Sequence, residues 1–129
     1  MTPATSPYAR TMGFTSSRDD AGRLVIAMPS DDGKRGRPGF LHGGAIAGLL
    51  EATAYMTLAD ALGDTDRPRI KPVNVTVTFM RGAVEQTLFA RATIERLGRR
   101  VANIEAVAWQ DDETKPVAIA QMNVMLSRD

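Results

Sequence analysis

Cysteine is absent from this chain and histidine occurs once, at position 42. Without thiols there is no disulfide, no thiolate metal site and no cysteine nucleophile, which fits a reducing, cytoplasmic compartment. A single imidazole cannot build a histidine-rich metal centre, so no metal is expected. Excess charge is lacking too: 16 basic against 15 acidic residues leave a net charge of +1. No general field exists to grip nucleic acid or an anionic membrane, and an anionic ligand must be held by a local cluster. No serine sits in a G-x-S-x-G elbow, no G-x-x-x-x-G-K-[ST] loop occurs, and no G-x-G-x-x-G follows a strand. Serine hydrolases of the elbow type, P-loop enzymes and dinucleotide oxidoreductases are thereby disfavoured.

Long apolar runs are scarce. Ala45 to Leu62 approaches membrane-spanning length but carries Glu51 and Asp60, and an acid near a bilayer centre costs about 2.5 to 3.5 kcal/mol. Much of the run is alanine, so it reads as a core helix, apolar nearly all round and therefore buried. Residues 1–10 carry two prolines and no apolar core, which excludes a signal peptide or anchor and predicts a flexible arm. The remaining residues, 11–129, are expected to form one domain, large enough to bury about two-thirds of the surface of its unfolded chain.

Along that domain, Thr11–Ser17 and Arg23–Met28 read as short strands joined by a turn at Arg18 to Gly22. Pro29 to Gly39 packs prolines, glycines and charges into a surface loop. The long helix follows, with Gly63 as its C-terminal stop and Asp64 to Pro72 as a connection. The period then changes from 3.6 to 2: Val73, Val75, Val77 and Phe79 alternate with Asn74, Thr76, Thr78 and Met80, as in a strand with one face in a core. Thr87–Leu97, Arg100–Trp109 and Pro116–Leu126 are three further strands, and their short connections imply antiparallel pairing. A block of strands that buries an apolar helix by curving around it makes the class α+β.

The stretch from Phe40 to Glu51 concentrates the chemistry. It places His42, the Gly43-Gly44 pair and the carboxylate of Glu51 at the start of the helical run, where carboxylates rarely belong. Glycines at a helix start allow close approach to an N–H, and the helix dipole favours negative charge there. On one ideal helix His42 and Glu51 would lie roughly 13 Å apart on opposite sides. If both serve one site, the simplest arrangement is a two-fold dimer in which the helix start of one subunit faces Glu51 of the other.

An apolar residue, His-Gly-Gly, a small-residue helix and an acid nine positions after the histidine resemble the hotdog-fold acyl-CoA thioesterases of the phenylacetate-degradation and 4-hydroxybenzoyl-CoA type. Val75 to Gly82 is similar to that family's strand after the helix, and Gly98 to Ala102 to its basic strand turn. The resemblance implies a hotdog fold, in which a curved antiparallel sheet wraps a long central helix. It implies hydrolysis of an acyl-CoA, with an aryl or medium-chain acyl group, in a homodimer or a dimer of dimers. Coenzyme A is then part of the substrate and no separate cofactor is needed. By position, Glu51 matches the catalytic general base or nucleophile, Gly43 the backbone oxyanion donor and His42 an orienting group. Gly44, Tyr55, Phe79, Arg81, Gly98, Arg99 and Arg100 are carried over as substrate or coenzyme contacts. Ala52 and Tyr55 depart from the family's habit of a polar residue one or four positions after the acid.

Two competing readings keep the fold. A hotdog dehydratase or hydratase pairs its histidine differently, and the His-Gly-Gly spacing disfavours it. A non-catalytic acyl-CoA-binding hotdog would be separated from an enzyme by turnover alone.

Overall fold

The computed structural model describes residues 2–3, 6–64 and 67–128. The elements are β1 (Thr2–Pro3), α1 (Pro7–Met12), β2 (Thr15–Arg18), β3 (Leu24–Met28), α2 (Gly43–Leu62), β4 (Arg69–Phe79), β5 (Leu88–Leu97), β6 (Val101–Trp109) and β7 (Ala118–Ser127). Seven strands form one antiparallel sheet in the order β1-β2-β3-β5-β6-β7-β4. α2 packs across one face of that sheet, against β3, β5, β6 and β7.

Local chemistry fixes the two connections that precede α2, one between β2 and β3 and one between β3 and the helix. In the β2–β3 turn the Asp19 carboxylate accepts hydrogen bonds from the backbone N–H groups of Ala21 at 3.0 Å and Arg23 at 2.9 Å. Gly22 supplies the positive φ of 80° that this tight reversal needs. The second connection, from Pro29 to His42, is more than a surface loop. Lys34, expected among solvated surface charges, is only 3% exposed, because its ammonium pairs with Asp31 at 2.5 Å while the loop folds over its stem. Leu41 N–H donates to Ala83 O at 2.9 Å, and His42 N–H donates to Lys34 O at 2.6 Å. The residue that opens α2 is thus tethered from both sides.

α2 has two unlike faces. Ala45, Ile46, Leu49, Leu50, Thr53, Ala54 and Leu58 are buried against the sheet, where each large side chain contributes about 1.5 to 3 kcal/mol by leaving water. The buried Thr53 hydroxyl is satisfied by donating to Leu49 O at 2.7 Å. The opposite side carries Gly44, Ala47, Gly48, Glu51, Ala52, Tyr55, Ala59 and Asp60, at the three- and four-residue spacing of one helical face. That side is only partly covered by the chain, with residues 47, 48, 51, 52 and 55 half-buried, so a helix expected to be buried all round is fully buried on one face only. Its uniform apolarity reflects two surfaces to be filled rather than one.

Three sequence boundaries move. Residues 7–10, assigned to the flexible arm, begin a helix: Ser6 caps it by accepting Ala9 N–H at 3.2 Å, Pro7 occupies its first turn, and Ala9 is fully buried. Thr11 and Met12 close this helix instead of opening a strand, with Gly13 as the left-handed stop. Residues 69–72, read as a connection, already belong to β4. Among the described residues β4 is an edge strand paired with β7 alone, which tolerates Pro72 beside its bulge. The face of β4 carrying Val75 and Phe79 stands opposite buried Met122 and Ala118 of β7, yet these two residues are 41% and 54% exposed. A strand expected to have one face in the core has that face largely bare.

Leu49 lies at 0% exposure in the contact between α2 and the sheet. Leu49→Ala is expected to cost about 2 to 5 kcal/mol of unfolding free energy, read from the urea midpoint. A loss below 1 kcal/mol would show that this face of α2 is not the core.

Candidate active site

The start of α2 is organised by one imidazole. His42 is the N-cap, and its Nδ1 accepts the Gly44 N–H at 2.8 Å. Nδ1 is therefore the acceptor in this arrangement, which leaves Nε2 as the donor, on an exposed residue. The backbone carbonyl of His42 takes the N–H groups of Ala45 and Ile46 at 3.0 and 3.2 Å. The Ile46 bond is the first regular turn of the helix; of the four N–H groups that its start leaves open, those of residues 42 to 45, three are filled, His42 donating to Lys34 O, Gly44 to Nδ1 and Ala45 to His42 O. The fourth, from Gly43, has no acceptor among the described residues.

Glycine is required at position 44 for this cap, since a Cβ there would lie 2.9 Å from His42 Nδ1. At Gly43 the neighbour is Phe79, whose ring stands 3.5 Å from where a Cβ would be. Gly43 and Phe79, named separately from the sequence, are thus neighbours at the helix start.

A groove of about 1190 Å³ runs along the outward face of α2 from Gly44 to Asp60. Glu51 lines it midway, half-buried, with no hydrogen bond or ion pair among the described residues. Tyr55 follows one turn later in the same groove, and burial, with the Glu51 charge second, raises its phenol above the ordinary tyrosine value. The phenol is a neutral hydroxyl beside a carboxylate. At the far end the groove is bridged by an ion pair from Arg18 of β2 to Asp60 of α2, with contacts of 2.7 and 3.0 Å.

One chain does not unite every expected residue. His42 and Glu51 sit at the start and the middle of the same helix, and His42 does not line the groove. Arg81 lies just beyond β4, exposed, with its charge felt at Asp112. Gly98, Arg99 and Arg100 are at the opposite end of the sheet from Gly43. Val101 pairs with Met125 and Ile70 with Leu126 there, whereas Phe79, Ala118 and Ala108 align at the helix start. Gly98 is needed in its turn, as a Cβ would approach Val101 O to 2.9 Å. Arg99 and Arg100 border a separate cleft of about 510 Å³ that also includes Arg128.

Tyr8, Arg18 and Asp60 are groove residues that sequence reasoning missed. The signal for Tyr8 was present in Ser6-Pro7 and Gly13, a capped start and a glycine stop around six residues. No signal could have paired Arg18 with Asp60, which are 42 positions apart.

The chain belongs to the thioesterase superfamily, whose profile matches residues 38–117, and its architecture is the hotdog fold. A Chromobacterium violaceum protein of known structure is 34% identical, over 96% of this chain and 85% of that one, with a TM-score of 0.77. A phenylacetic acid degradation-related protein from Ralstonia eutropha JMP134 is 29% identical, over 95% of this chain and 92% of that one, with a TM-score of 0.81. A Bacillus halodurans protein crystallised with CoA shares the fold at a TM-score of 0.85 and 18% identity, over 97% and 81% of the two chains. No curated protein matches the chain.

The Arg18 guanidinium holds the Asp60 carboxyl below the ordinary carboxylate range. The folded state then binds less proton than the unfolded chain in acid, so this contribution is complete above the unfolded value near 3.9 and drains as pH falls through the lower folded one. Both partners are about half exposed, which keeps the effect small and salt-sensitive. Asp60→Asn is expected to flatten part of the acid limb of a stability-against-pH curve at low salt and to leave the neutral-to-alkaline limb parallel to wild type. An unchanged acid limb would mean the pair does not persist in solution.

Proposed function

We propose that the protein hydrolyses an acyl-CoA thioester, of aryl or medium-chain type, with Glu51 and the Gly43 N–H as the reacting groups. The observation that carries this reading is the unfilled N–H of Gly43 at a helix start whose other donors are all occupied. It is supported by the unpaired carboxylate in the groove on the same helix. Thioester hydrolysis needs these two elements: an oxygen nucleophile delivered to the carbonyl carbon and a donor aimed at the oxygen that gains charge.

In one route Glu51 takes a proton from water as the water oxygen attacks, and the tetrahedral oxyanion is held by the Gly43 N–H at the positive end of the α2 dipole. Collapse breaks the C–S bond; the coenzyme thiolate leaves and is protonated, and the free acid remains. In the other, a Glu51 oxygen attacks directly, the same bond breaks, and water hydrolyses the resulting anhydride. Both routes make the same demand on Gly43. His42 engages the Gly44 N–H through Nδ1, which leaves its Nε2–H for orienting the substrate. Arg81, Arg99 and Arg100 are the cations proposed for the phosphates of the coenzyme.

Because Glu51 lies more than two turns beyond Gly43 on one helix, the proposed site is shared. Glu51 of one protomer serves the Gly43 N–H of its partner in a two-fold dimer. The bare faces of β4 and α2 supply apolar surface for that association. A partner reversed against β4 also returns the Arg99–Arg100 end of its sheet toward Gly43, which offers a physical reason for the distance between them in one chain.

Position 43 allows a clean test. Gly43 is the first helical residue, its N–H has no partner among the described residues, and His42 already has the extended backbone that precedes proline, with ψ at 137°. Gly43→Pro is expected to delete the donor while keeping α2, lowering kcat about 10²- to 10³-fold on released-thiol assays with aryl- and acyl-CoAs. Glu51→Gln is expected to lower kcat at least as far, with the melting temperature of both variants within a few degrees of wild type. Wild-type turnover in either folded variant would reject the assignment of that group.

A further inference from the structure

Tyr8 has an unusual seat. It projects from α1 onto the outward face of α2 at Gly48, where a Cβ would lie only 2.1 Å from its hydroxyl oxygen and 3.1 Å from Cζ. No side chain can share that place, so the glycine is the notch into which the phenol fits. The ring is braced edge-on by Phe14, at a centroid distance of 5.8 Å and an interplanar angle of 80°. Phe14 itself is 1% exposed and its N–H donates to Ala9 O at 2.9 Å. The short helix that carries Tyr8 is therefore anchored in the core at Ala9, one residue away.

Gly48 and Glu51 are three residues apart and share a helical face, about 4.5 Å along the axis. An acyl carbonyl within reach of Glu51 brings its substituents against Tyr8 on one side. On the other the groove continues past Tyr55 and Met56 to the Arg18–Asp60 bridge. We propose that Tyr8 is a specificity-determining residue: seated in the Gly48 notch, it narrows the groove on the helix-start side of Glu51 and limits the size of the acyl group. This rests on the acyl-CoA reading above. The role is steric, carried by the ring and its bracing on Phe14, and the hydroxyl is dispensable for it.

The test compares wild type, Tyr8→Ala and Tyr8→Phe on a series of straight-chain and aryl acyl-CoAs. One added methylene in an apolar pocket changes discrimination by roughly tenfold or more. Tyr8→Ala is expected to raise kcat/KM for long or bulky acyl groups about tenfold relative to short ones, and Tyr8→Phe to stay within about twofold of the wild-type ratio. Tyr8 is 49% exposed, so both variants are expected to melt within a few degrees of wild type. An unchanged ratio in Tyr8→Ala, or a Tyr8→Phe profile that follows Tyr8→Ala, would overturn the proposal.

Binding of non-hydrolysable acyl-CoA thioethers of matched chain lengths separates this claim from the catalytic one. If wild type cleaves no thioester, the hydrolase reading fails, while a shift of the long-to-short affinity ratio in Tyr8→Ala still supports Tyr8 and its absence overturns it. If no acyl-CoA analogue binds at all, both fall.

Discussion

The architecture turns on one demand: a 20-residue helix with apolar residues on both sides must have both sides covered. The sheet covers one, through Leu49, Leu50 and Leu58 at 0% exposure. It cannot cover the other, because a single layer of strands meets a helix from one direction only. The uncovered face becomes the lining of a groove, and the one carboxylate on its middle turns, Glu51, stands in a mostly apolar trough without paying for full burial. α2 is thus core element and groove wall at once, and the same low polarity serves both.

The helix start is the second fixed point. Its geometry depends on a chain of small constraints: Asp31 pairs with Lys34, Lys34 O receives the His42 N–H, and the imidazole turns back onto Gly44. Each step removes a competing acceptor or donor, and what remains open is the Gly43 N–H. Were position 44 anything but glycine, the imidazole could not make that turn. Preorganisation of this kind is inexpensive in the folded state, since the donors must be satisfied in any case, and it leaves one N–H aimed outward at the positive end of the helix dipole.

Much of this was legible in the chain. The length and small, apolar composition of the 45–62 run, the glycine stop at 63 and the alternation from Val73 onward are local signals of helix and strand, and the structure follows them. The contact of Phe79 with Gly43 was open to reading only through resemblance, because residues 36 positions apart announce no proximity in their spacing. Tyr8 was hidden by two prolines that suggest an arm, although Ser6-Pro7 is also a helix start. Lys34 was hidden by its type: a lysine in a glycine-rich loop is ordinarily solvated, and only the ion pair with Asp31 and the fold of the loop bury its stem. The apolar residues of β4 were read as core because a sequence cannot distinguish a face buried by its own chain from one left for another surface.

The central claim, that the acid of one protomer works on a carbonyl held by the amide of another, is open to a complementation measurement. Glu51→Ala and Gly43→Pro, each inactive alone, would be unfolded together, refolded as a mixture and assayed for released thiol. Random pairing makes half the dimers hybrid, each with one intact shared site of two, so activity should return to about a quarter of wild type. A mixture as inactive as its parents, with hybrid dimers shown to be present, would contradict a site built across two chains.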